Sequence, residues 1–309
     1  MLAALALSGC DSSGGDKKDV TDVGSNLVVP EADGLVYTFT SGDTVFAVDA
    51  DKGGRIVTFS LAGRNAVTAP KSQGDINWGS TFWTSPQSDW NWPPPSEIDS
   101  DTYTASLDGG TLTLTSDTSS KLDVAVTKKF SMDRATGNVT IEYGVINKGS
   151  EARSLAPWEI TRVAAGGLTF FPMGEGSPTK GQQDLLNLQV SDGVAWFAYD
   201  AASIPREQKV FADGHEGWIA HSNDGLLLVK AFADMSPSQA APGEAEISLY
   251  TDTAHTYIEV ENEGPYQELA AQASLSYTTH WFLRKLDASV PVQVGSADLL
   301  STVRALVKP

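Results

Sequence analysis

An apolar alternation of period two recurs along this chain in short runs between turn signals. Residues two apart on a strand point to the same face, so such runs mark half-buried β-strands. In "RIVTFSL" the alternation puts Arg55, Val57, Phe59 and Leu61 on one face. In "TLTLTSD" Leu112 and Leu114 alternate with threonines, and in "KLDVAVTKKF" Leu122, Val124 and Val126 fall together. "NVTIEYGVI" aligns Val139, Ile141, Tyr143 and Val145. The runs are separated by "ADKGG", "LDGG", "DRATGN", "NKGS" and "SNDG", which are turn sequences. Many antiparallel strands joined by tight turns predict an all-β sandwich or barrel. Helical periodicity stands out in "SADLLSTVRALV", where Ser296 can cap a helix with Leu299, Leu300, Val303, Leu306 and Val307 on one stripe.

With 309 residues, 41% of them hydrophobic, the chain can bury a sizeable core, and the unbroken strand pattern predicts one large domain over residues 26–309. Ahead of it lies a short apolar run, "MLAALALSGC", then "DSSGGDKKDVTDVGSN". "LSGC" resembles a bacterial lipobox. The resemblance implies a signal-like segment over 1–10, lipid attachment at Cys10, a flexible tether over 11–25, and a protein anchored to a bacterial membrane at the cell envelope.

Cys10 is the single cysteine, so the globular part has no disulfide and no thiolate metal site. The four histidines, at 215, 221, 255 and 280, show no HxH or HExxH spacing, and neither a metal nor a cofactor is expected. Charge separates the partner classes: 21 Lys and Arg against 39 Asp and Glu give a net of −18, a field that repels nucleic acid.

"NWGSTFWTSPQSDWNWPPP", residues 77–95, holds four of the eight tryptophans, shows no regular apolar period and ends in three prolines. Residues 75–96 read as a long loop between strands. Indole faces suit the C–H faces of a sugar ring, so Trp83, Trp90 and Trp92 are candidate stacking platforms, with Asn77 and Gln87 beside them for hydroxyls. The competing reading is a satellite core plugging the end of the sandwich.

"TYIEVENEGPYQEL" places Tyr257, Glu259, Glu261 and Glu263 on one strand face, opposite Ile258 and Val260. On a solvent face this is a solvated charge row. On the floor of a groove, one carboxylate can act as a base. In "SLSYTTHWFLRKL", His280 shares a face with Arg284 and is a candidate acid–base partner. In "LAPWEITRVAAGG", Glu159 lies opposite Trp158 and Arg162, and offers a second carboxylate.

Taken in order, "GGRIVTFSLAGRN", "NWGSTFWTSPQ", "LAPWEITRV", "EGWIAHSNDGLLLVKAF" and "YIEVENEGPYQELAAQASLSYTTHWFLRKL" resemble the galactose mutarotase-like superfamily, and within it the DUF4380 branch. The resemblance spans about residues 35–285. It implies a large antiparallel supersandwich with a sugar groove across a concave sheet. In the superfamily's epimerases a late-strand glutamate takes the anomeric proton and a histidine donates to the ring oxygen. Glu261, or failing it Glu259, falls at the base position, with His280 or Glu159 as the acid. The mid-chain strand reads "APWEITRV" where those enzymes carry a histidine, and the tryptophan segment replaces their early His-Gly motif. These departures favour carbohydrate binding without turnover, with Arg55, Arg162, Tyr257 and Glu259 among the groups for hydroxyls. An aldose 1-epimerase-like isomerase and a non-enzymatic envelope scaffold are the alternatives.

Overall fold

A computed structural model describes residues 26–72, 75–179, 184–185 and 188–308. Cys10 and the 11–25 tether lie outside the described residues. The described strands form a 12-stranded and a 10-stranded sheet, antiparallel except for the pairing of Asp184–Leu185 with the Gln208–Ala212 strand. Side by side in the larger sheet run Thr44–Asp49, Arg55–Leu61, Ser80–Ser85, Arg153–Ala164, Tyr257–Glu263, Ile247–Thr251 and Gln208–Ala212. The centre of the smaller sheet is Val124–Met132, Val139–Asn147, Ser274–Lys285 and Leu226–Phe232. The expected sandwich is therefore the observed architecture.

The alternating strands behave as their patterns predict. Val139, Ile141, Tyr143 and Val145 are all buried between the sheets, in register with Trp281, Thr279, Tyr277 and Leu275. Aromatic contacts then join the layers. Phe46 and Phe59 of the larger sheet meet at 5.7 Å, and they reach Phe130 and Trp281 of the smaller one at 5.9 Å each. Phe82 stacks on Tyr143 at 4.3 Å with a 12° interplanar angle.

In "RIVTFSL" the simple alternation breaks. The pairing register shifts between Ala47 and Val48, so Val48 faces Ile56 and Phe46 faces Phe59. One extra residue reverses the phase of a strand. Ile56 and Phe59 both enter the core, whereas Arg55 points away from it.

The tryptophan segment also departs from expectation. It is not loop throughout: Ser80–Ser85 is a central strand with every residue buried. Alternation is invisible there because both faces are covered. Phe82 faces the other sheet, Trp83 faces away from it, and the hydroxyls find partners: Ser80 Oγ on Ile160 O at 3.0 Å and Thr81 Oγ1 on Asp99 at 2.9 Å. A one-turn helix, Ser96–Asp99, closes the segment. It approaches the backbone so closely that a Cβ on Gly53, at φ +69°, would lie 2.0 Å from the Asp99 carbonyl oxygen.

The C-terminal helix, Ala297–Val307, forms as predicted. Ser296 Oγ accepts from the Leu299 amide at 3.3 Å. Leu299, Leu300 and Val303 pack on a second apolar cluster with Phe170, Trp196 and Trp218, covering the outer face of the smaller sheet. No helix among the described residues is long and apolar enough to cross a membrane.

Candidate functional site

Strand parity and register decide which polar groups meet. Arg162 pairs with Glu259, Ile160 with Glu261 and Trp158 with Glu263. Ser248 pairs with Glu261 and Tyr250 with Glu259; Lys209 pairs with Tyr250 and Trp83 with Trp158. Directly opposed residues in an antiparallel sheet share a face. Trp83, Trp158, Arg162, Lys209, Tyr250 and the three glutamates thus all stand on the face of the larger sheet that points away from the smaller one.

On that face lies a cleft of about 750 Å³. Trp83, Trp158, Tyr250, Tyr257 and Glu259 contribute to its floor, Gln87, Asn91 and Trp92 form one wall, and Pro242 to Glu244 form another. The Gln87 amide donates to Glu244 at 3.3 Å and links the two walls. Tryptophan segment and acidic strand therefore border one hollow.

The aromatic floor is interlocked. Trp83 meets Trp158 at 5.3 Å, Trp90 at 5.5 Å and Trp92 at 5.9 Å, each near perpendicular. Trp92 is 52% exposed, whereas Trp83 is buried to 5%. From below, Asp99 accepts from Trp83 Nε1 at 2.7 Å, from Thr81, and from Arg55 Nη2 at 3.1 Å.

Glu261 is buried beneath this floor. Its carboxylate accepts from Trp158 Nε1 at 2.8 Å, Ser248 Oγ at 2.7 Å and Lys209 Nζ at 3.1 Å to each oxygen. Lys209 itself reaches the cleft wall and lies 5.0 Å from the Trp158 ring centroid. Burial pushes the Lys209 ammonium down, but Glu261, Glu259 and Glu244 more than offset it, so it is held above its ordinary value. Glu259 accepts from Arg162 Nε at 2.8 Å. Burial raises Glu259 despite Arg162, and Glu261 adds to the rise.

Several residues singled out in the sequence stand elsewhere. Trp90 is fully buried, with its Nε1 donating to Thr84 O at 2.7 Å, so it supports the platform from behind and offers no face to a ligand. Arg55 is a buried structural cation: it holds Asp99 and donates to the Ile76 and Trp78 carbonyls. Arg162 is fully buried behind Trp83 and Tyr257, at 5.5 and 6.0 Å from their ring centroids. Glu159 is opposite in parity to Trp158, so it lies between the sheets. There it pairs with Lys230 at 3.0 Å and accepts from Tyr143 Oη at 2.7 Å. His280 is on the outer face of the smaller sheet, bonded to Thr140. Asn77, Trp83, Gln87, Trp92, Tyr257 and Glu259 line the cleft, and Glu261 lies beneath it.

Lys209, Tyr250, Glu244 and Glu207 were not singled out. "QKVFA" and "ISLYT" carry the signal: a polar or aromatic residue at alternate positions of short buried strands. Nothing in those runs says what the polar face meets.

Sheets, cleft and covering helix define a galactose mutarotase-like β-sandwich. The chain matches a galactose mutarotase-like protein from Lactobacillus casei with a TM-score of 0.61 at 11% identity, over 81% of this chain and 100% of that one. A galactose mutarotase-like protein from Clostridium acetobutylicum matches with a TM-score of 0.58 at 10% identity, over 85% and 100%. A TPR-domain containing protein from Parabacteroides distasonis matches at 0.58 and 13% identity, over 84% of this chain but 49% of that one, so this chain spans about half of that protein. At such identities the likeness shows the fold alone. No curated protein matches the chain. Within this fold the chain belongs to the family described as Domain of unknown function (DUF4380), whose model matches residues 38–284.

Proposed function

We propose that the protein binds a carbohydrate in this cleft without turning it over. One observation carries the reading: an exposed indole, Trp92, stands at the rim of a sugar-sized cleft beside Tyr257 and Glu259. Apolar ring faces and hydroxyl-bonding carboxylates are the two surfaces a pyranose needs. Three arrangements argue against anomer exchange. No imidazole lines the cleft among the described residues. Glu159 is committed to Lys230 and Tyr143 on the opposite side of the sheet. The oxygens of Glu261 are occupied by three donor groups, so Lys209 must move before that carboxylate can take a substrate proton.

The test is a glycan array probed with the full chain, followed by anomer-exchange NMR on each ligand found. Binding without exchange supports the proposal. Exchange that is lost in Glu261→Gln selects an aldose 1-epimerase-like isomerase instead, and absence of glycan binding favours an envelope scaffold. Tethering through a lipid on Cys10 belongs to the same proposal, and fatty-acid labelling of the wild type against Cys10→Ser checks it.

A further inference from the structure

The two walls of the cleft meet at one end. There the Gln87 amide donates to Glu244 Oε1 at 3.3 Å, and both residues line the hollow. Each wall is pinned close to this join. On the tryptophan side, the Trp90 and Asn91 amides donate to Gln87 O at 3.1 and 2.8 Å, and Trp90 Nε1 donates to Thr84 O. On the other side, the Glu244 amide donates to Ala241 O at 3.0 Å. That loop is tied at both ends, by the Tyr266 amide on Gln239 O at 2.7 Å and the Glu263 amide on Glu246 O at 2.8 Å.

A link between two walls can bridge a channel or seal it, and the floor decides which. Next to the join the sheet carries Ser85, two residues before Gln87, and Glu263, whose carboxyl feels the charge of Glu244. The Ser85 hydroxyl hydrogen-bonds the Glu263 carboxyl, and the two residues are 1% and 0% exposed. Pro157 and Gly264, joined by the Gly264 amide on Pro157 O at 2.9 Å, continue this buried floor. No surface is left there for a sugar ring to rest on, so the join seals the end.

The opposite end differs. Glu259 is four residues from Glu263 on the same strand, about 13 Å away. It lines the cleft, as do Tyr250, Glu207 and Asn77. Glu207 is exposed and Asn77 is half-exposed. Among the described residues no hydrogen bond ties Asn77 to Glu207, Tyr250 or Tyr257: its amide donates to Asp75, and Glu207 meets Tyr250 Oη.

We infer that the cleft is blind at the Gln87–Glu244 end and open at the Asn77–Glu207 end, so that it receives the terminal residue of a glycan and excludes an internal stretch. The inference rests on the carbohydrate reading above and adds which part of a glycan is held. An internal stretch must both enter and leave, and here the second exit is filled by packed, hydrogen-bonded protein. A chain end needs one opening, and about 750 Å³ suits the enclosure of a small ligand.

The experiment is titration calorimetry of the full chain with linear gluco-, galacto- and manno-configured oligosaccharides, from the disaccharide to the hexasaccharide, and with their parent polymers. One protein is expected per glycan chain at every length, with affinity per chain constant to within about threefold once the cleft is filled. Borohydride reduction opens the reducing residue to an alditol: loss of binding assigns the reducing end, and retention assigns the non-reducing end. Glu207→Trp narrows the open end and should weaken the hexasaccharide at least about threefold more than the disaccharide. Equal weakening of both lengths overturns the assignment of the open end. A count of bound protein that grows with chain length overturns the inference and leaves the carbohydrate reading standing. No binding by any saccharide overturns both.

Discussion

Lys209 Nζ lies 3.1 Å from both carboxylate oxygens of Glu261, and it places a charged lid between that acid and the cleft. The pair is almost without solvent, with side-chain exposures of 10% and 0%. Removing one partner of such a pair leaves an uncompensated buried charge. Lys209→Met is expected to lower stability by about 3–5 kcal/mol, and Lys209→Met with Glu261→Gln to recover most of the loss. Urea unfolding of the two single variants and the double measures the coupling. Additive losses would mean that the two side chains do not hold each other.

The tryptophans divide into one ring exposed at the cleft rim, Trp92, and the buried rings Trp83, Trp90 and Trp158. Trp92→Ala removes half-exposed surface and should abolish glycan binding with a change in unfolding free energy below about 1 kcal/mol. Trp83→Ala opens a cavity among three other indoles and should cost about 3–5 kcal/mol. Binding and thermal unfolding recorded on the same samples separate the two effects. Retention of full affinity in Trp92→Ala would remove the exposed indole from the site.

Asp99 serves Arg55, Thr81 and Trp83 together. Asp99→Asn leaves the Arg55 guanidinium buried without its counter-ion, and is expected to cost about 3–5 kcal/mol. Trp83→Phe removes one hydrogen bond from the same acid and should cost less, about 1–2 kcal/mol. Chemical denaturation of both variants tests the order, and the reverse order would show that Arg55 has another source of compensation.

How far the sequence carried this reading differs by element. The strands flanking Val139–Val145 and the Ser296-capped helix were legible because one face is buried and the other is wet or covered by a single layer. Ser80–Ser85 was not, since a strand covered on both faces has no period to read. Parity inside one strand was also legible: Glu259, Glu261 and Glu263 do share a face. Parity between strands was not, because nothing local says that Glu159 pairs with Asn262 rather than with Glu261. That single step of register puts Glu159 between the sheets and Glu261 under the cleft. Lys209 was missed for a related reason: its role is defined by a partner 52 residues away.

Glu246 supplies a pH signature. It is buried, one oxygen accepts from the Met235 amide at 2.8 Å, and the other lies against the Gly214 backbone. Burial pushes it from 4.5 up to about 8. The native state therefore binds this proton more tightly than the unfolded chain does. Stability is greatest below the unfolded value and falls as pH rises toward about 8. Glu246→Gln should match the wild type at low pH and exceed it by about 4–5 kcal/mol above the folded value. Melting temperatures across that range test the sign, and a difference constant with pH would exclude the ionisation as its origin.

The brace that Asp99 forms under Thr81 and Trp83 bears on the cost of the binding proposed for the cleft. Because a carboxylate fixes the indole from beneath and neighbouring rings lock its edges, the platform is already frozen before anything arrives. Little side-chain entropy then remains to be lost at that ring on association, so the penalty of ordering falls on the ligand and on Trp92 at the rim.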